Sequence, residues 1–104
     1  MLIIIHDTIK IEVVDMMHFY TEMEGWTTLF SDIMVGDYDQ ESIKLIFEKP
    51  IENGFAHGEL MLPDMTWNKQ LSMTDDDVFF LEQYALDNSP LIWELSREGK
   101  GCLL

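Results

Sequence analysis

The stretch from Thr74 to Gly99, TDDDVFFLEQYALDNSPLIWELSREG, constrains the chain most, because helix start, apolar face and helix stop agree there and nowhere else. Thr74 can cap a helix by accepting a bond from a free amide of the first turn. Asp75, Asp76 and Asp77 then follow where the helix dipole favours negative charge. Val78, Leu81 and Ala85 recur at three- and four-residue spacing, and Phe80 and Tyr84 widen that stripe on one side. Asn88-Ser89-Pro90 reads as a break and a restart, since Ser89 is a good cap and proline is tolerated at the first position of a helix. The pattern therefore predicts a helix pair, about 75–87 and 90–98. The second helix would turn Leu91, Ile92 and Leu95 inward, carry Arg97 near its negative end and stop at Gly99.

A helix pair with one apolar face needs a surface to cover, and residues 1–73 read mostly as strands. Leu2 to Val14 is rich in β-branched residues, with Ile9, Ile11 and Val13 in alternation, and His6-Asp7-Thr8 suggests a turn inside a hairpin. Asp15 to Val35 is ambiguous: Met16, Phe19, Tyr20 and Met23 fit a helical face, yet Gly25 would end such a helix early. The reading adopted is a helix or irregular segment over Met16–Glu24, then a strand from Trp26 to Met34. Gly36 to Ser42 is polar and turn-rich, hence a loop. Ile43, Leu45 and Phe47 alternate with Lys44, Ile46 and Glu48, and Phe55 to Leu62 forms a second run. Asn53-Gly54 between them readily takes the positive φ angles of a tight hairpin turn. Met65 to Met73 alternates more weakly and fits an edge strand leading into Thr74. The expected fold is thus α+β: a mostly antiparallel sheet over residues 1–73 packed against the C-terminal helix pair, in one compact domain spanning residues 1–104.

An apolar share of 47% is too rich for disorder, whereas a net charge of −14 over 104 residues sets the function classes in play. The few bases are scattered among 20 acids, so a phosphate backbone would be repelled and direct nucleic-acid binding is excluded. Residues 1–43 hold nine acids against Lys10 alone, a net of −8, while residues 44–104 hold eleven acids against five bases, a net of −6. Such a surface suits a basic protein partner and accelerates its capture. Asp37, Asp39 and Glu41, with Glu22 and Glu24, form the candidate acidic binding surface.

Catalytic and metal-binding readings find little support. His18 and Glu22 have the spacing of two ligands on one helical turn, but a zinc site needs at least three protein ligands. Asp37, Asp39 and Glu41 alternate like the first ligands of a calcium loop, with Glu48 at the twelfth position, yet Ser42 stands where that loop needs glycine. No hydrolase motif is present, and Cys102, the single cysteine, has no histidine near it in sequence to activate it. The expectation is no catalytic residue, no metal and no cofactor. Cys102 is third from the end rather than fourth, so no prenylation box is expected, and Met1 to Ile5 is too short an apolar run for a membrane span. A lone cysteine fits the cytoplasm. The functional expectation is a small acidic non-enzymatic binding protein: an inhibitor, immunity protein or nucleic-acid mimic that occludes a basic protein surface. The alternative is a self-associating interaction domain, forming a homodimer through exposed methionine and tryptophan.

Overall fold

The structure, a computed structural model, describes residues 2–5, 10–13 and 17–99. Two strands, β1 (Leu2–Ile5) and β2 (Lys10–Val13), pair antiparallel from Leu2↔Val13 to Ile5↔Lys10, as the β-branched run predicts. Among the described residues this two-stranded sheet is not hydrogen-bonded to the larger one, so the strands described over residues 1–73 form two sheets where one was expected. The predicted His6-Asp7-Thr8 turn and Cys102 lie outside the described residues.

The larger sheet has six antiparallel strands: β3 (Met17–Met23), β4 (Trp26–Ser31), β5 (Met34–Val35), β6 (Glu41–Ile51), β7 (Gly54–Leu62) and β8 (Thr66–Leu71). Their order is β3-β4-β6-β7-β8, and β5 continues along the β4 side of β6 through Met34↔Ser42. The region expected to begin as a helix or irregular segment is strand β3. Gly25 does not stop a helix; with Glu24 it forms a two-residue hairpin turn, and both take positive φ, 52° and 83°, as a turn matching the strand twist demands. Tyr20 then points into the core while Phe19, its neighbour, stays partly exposed on the other side, an alternation only a strand produces. The β6–β7 hairpin is present, but its loop is Glu52-Asn53 rather than Asn53-Gly54, since Ile51 pairs with Gly54. Asn53 supplies the positive φ of 68°.

One face of this sheet, carrying Trp26, Phe30, Ile43, Leu45, Phe47, Leu60 and Leu62, is buried against a single helix, α1 (Asp75–Glu98). Together they make an α+β fold. The helix opens on a capping box, with Asp77 N–H donating to Thr74 Oγ1 at 3.0 Å and Thr74 N–H to Asp77 Oδ2 at 2.9 Å. It closes on Gly99 at φ 67°. The predicted pair of helices is one helix because Asn88 turns its polarity to tertiary use. Its Oδ1 accepts from the Tyr20 hydroxyl at 2.6 Å, and its Nδ2 donates to the Tyr84 carbonyl at 2.8 Å. Pro90 faces solvent, so its ring disturbs no packing, and the buried stripe of Leu81, Ala85, Ile92 and Ser96 runs past it unbroken. Leu91, expected inward, is 45% exposed.

Further bonds dock the helix on the sheet. Trp67 Nε1 donates to Glu82 at 2.7 Å, Ser96 Oγ to the Ser31 carbonyl at 2.9 Å, and the Thr21 and Tyr84 hydroxyls are hydrogen-bonded. Gly58 makes room for the Trp67 ring on Phe47, because a Cβ there would stand 2.7 Å from both Trp67 Cζ3 and Met73 Sδ.

Candidate functional site

Strand register divides the five candidate carboxylates between the two ends of the sheet. Glu22 and Glu24 lie at the β3–β4 turn, beside the β6–β7 turn, because Thr27 pairs with Glu48. Asp37, Asp39 and Glu41 lie at the opposite end, on the turn joining β5 to β6. Seven residues of β6 separate Glu41 from Glu48, a span of roughly 23 Å at strand rise. The two groups therefore present separate surfaces.

At the first end Glu24 shares a cleft of about 390 Å³ with Asp76, Asp77, Met23, Trp26, Phe80 and Lys49. Part of its charge is already engaged by this chain. Asp77 closes the capping box, and the Lys49 ammonium sits over the Trp26 ring, 5.8 Å from its centroid.

The second end is built differently. Residues 37–40 form one tight turn with Tyr38 and Asp39 at its centre, held by Gly36 N–H to the Gln40 carbonyl at 2.8 Å and Gln40 N–H to the Asp37 carbonyl at 3.3 Å. Tyr38 and Asp39 both have φ of 59°, an unfavourable region for side chains other than glycine and asparagine. The Tyr38 side chain is 98% exposed, so it contributes nothing to the core, and aspartates stand on either side of it. Beside this turn a cleft of about 480 Å³ opens towards the β7–β8 connection, lined by Gln40, Glu41, Ser42, Met61, Asp64 and Asn68 among others. Glu41 also faces Arg97 at 3.6 Å, while Arg97 rests over the Trp93 ring.

A third arrangement escaped the sequence reading. On the sheet face that the helix leaves uncovered, His57 Nδ1 lies 3.2 Å from Glu48 Oε2 and its Nε2 lies 3.0 Å from Glu59 Oε2. Both nitrogens donate only in the imidazolium form. The hydrogen bond from His57 holds the Glu59 carboxyl below the usual glutamate range, partial burial opposes this, and Lys44 and Lys69 add to the lowering. His57 meets Glu48 because the two are directly opposed across the β6–β7 hairpin. The signal was the hairpin register, which an Asn53-Gly54 loop misplaces by two residues.

The ligand spacing read for His18 and Glu22 is not realised. His18 and Glu22 sit four residues apart on a strand, roughly 13 Å at strand rise, instead of on one helical turn. His18 Nε2 bonds Asp32 at 2.6 Å instead. Glu48 belongs to β6, far along the strand from Asp37, so the calcium-loop spacing has no loop behind it. Among the described residues no three His, Cys, Asp or Glu converge to hold an ion. No described helix is long and apolar enough to cross a membrane.

Comparison with protein-family models, with curated proteins and with solved structures finds no match.

Proposed function

We propose that this chain is a small, acidic, non-enzymatic binding protein of the cytosol that occludes a basic protein surface, as inhibitors, immunity proteins and nucleic-acid mimics do. The observation that carries the reading is Tyr38. A tyrosine 98% exposed at the tip of a hydrogen-bonded turn does nothing for the fold, and tyrosine is the residue type that most often anchors interfaces at small entropic cost. Asp37, Asp39 and Glu41 around it supply charge that steers a basic partner, and the molecule's net charge of −14 extends that field. The Glu24 end contributes to the field more than to contact, because Asp77 is engaged in the capping box and the Lys49 cation lines the same cleft.

The test is capture of basic proteins from lysate by wild type and by Tyr38→Ala, at low and at moderate salt. Since Tyr38 is solvated, the variant should keep its stability within about 0.5 kcal/mol. It should retain the partner about tenfold less well, the order expected of an interface anchor. Equal retention by both proteins would remove Tyr38 from the interface. Self-association is the second reading, favoured by Phe79 and Leu86, seven residues apart on the exposed side of the helix. Sedimentation showing a concentration-dependent dimer and no captured partner would establish it.

A further inference from the structure

The cleft beside the Tyr38 turn has a composition that selects its occupant. Its walls come from the β5–β6 turn and the β7–β8 connection, two turns at the same end of the sheet. The lining offers side-chain oxygens of Gln40, Glu41, Asp64, Thr66 and Asn68, with the Met61 thioether as apolar surface, and none of its residues is Lys, Arg or His. Among the described residues no side chain pairs with Asp64, whereas the cleft beside Glu24 is lined by a cation of this chain, Lys49. Glu41 is already faced by the guanidinium of Arg97 at 3.6 Å, which leaves Asp64 as the carboxylate of this wall that a partner's cation can take.

We propose that this cleft receives an arginine side chain of the basic partner, an inference that rests on the function proposed above. A planar guanidinium presents five donors, enough to bond the Asp64 carboxylate along one edge and amide or hydroxyl oxygens along the other. Its methylene stem lies against Met61 and Pro63. A lysine ammonium, a compact point charge with a larger hydration cost, satisfies fewer of these oxygens at once. The volume of about 480 Å³ accommodates one such side chain with water around it. Tyr38 and the cleft then form one contact surface, the ring on the outside and the guanidinium within.

The experiment is titration of the isotope-labelled full chain with N-acetyl-argininamide, and separately with N-acetyl-lysinamide, at fixed ionic strength, followed by amide chemical shifts. Saturable shifts are expected at Gly36, Ser42, Thr66 and Asn68, with the lysine derivative binding more weakly. Asp64→Asn should weaken arginine binding about fivefold, the upper range for one exposed ion pair. Asp87→Asn, the same charge change on the exposed flank of the helix, should leave it unaltered. Equal effects of the two variants, or shifts spread over the whole acidic surface, would overturn the cleft assignment. A chain that fails this titration yet still captures a basic partner through Tyr38 loses only the cleft. A chain that binds argininamide at the cleft but captures no basic protein loses the proposed function.

Discussion

Glu59 stands on the uncovered face of the sheet with His57, Lys44 and Lys69 around it, and its carboxyl is held below the ordinary value of 4.5 chiefly by the His57 hydrogen bond. The folded state therefore favours the carboxylate. The stabilisation is complete above the unfolded value and is lost as pH falls through the lower folded one. Denaturation midpoints measured on the two proteins from pH 6 down to pH 3 should show wild type losing an advantage over Glu59→Gln only below about pH 4.5. The total should be under about 1 kcal/mol, because the group is partly solvated. A difference that is constant across the series would mean that the His57 contact does not bias this carboxyl. At this scale the sequence was half legible: alternation along the strand puts His57 and Glu59 on one face, but only cross-strand register brings Glu48 to the other side of the ring.

Elements were legible where local signals and tertiary demands coincide. Thr74 and Gly99 bound the helix as their side chains and backbone freedom dictate, and the alternation around Phe47 and Leu60 gave the central hairpin. The misreadings have physical causes. In the hairpin, an Asn53-Gly54 loop would set Glu48 directly opposite Glu59. The observed register, one loop residue earlier, sets His57 there instead and avoids two like charges face to face. Gly25 is ambiguous by nature, because positive φ serves helix ends and hairpin turns alike, and only the pairing of Met23 with Trp26 decides between them. In the helix, Asn88-Ser89-Pro90 carries every local mark of a boundary, yet the stripe through Leu81, Ala85 and Ile92 keeps one phase across it, so packing overrides the proline. Pro90 consequently costs the folded state a helix hydrogen bond. Pro90→Ala should raise stability by roughly 2–2.5 kcal/mol, the helix penalty of proline (about 3) less its gain from a stiffer unfolded chain (about 0.4–1). Chemical denaturation measures it, and a loss of stability would mean that Pro90 starts a separate helix.

For the molecule as a whole, the acidity foreseen from composition turns out to be distributed by topology. One end of the sheet gathers Glu22 and Glu24 near the helix start, and the other gathers Asp37, Asp39 and Glu41 around Tyr38 and its cleft. The charge excess was readable in the sequence, but its division was not, because it depends on which turns share an end of the sheet. If the Tyr38 end is where a basic partner lands, neutralising its three carboxylates must slow encounter, whereas neutralising the helix-start aspartates must act mainly on stability through the helix dipole. The decisive measurement is the association rate of the captured basic partner against ionic strength, for wild type, for Asp37→Asn/Asp39→Asn/Glu41→Gln and for Asp75→Asn/Asp76→Asn. Wild type should associate fast and slow steeply with salt, the first variant should associate about tenfold more slowly at low salt with a shallower dependence, and the second, whose charges lie at the other end of the sheet, should be slowed several-fold less than the first. Association that ignores both salt and the first triplet would contradict the account.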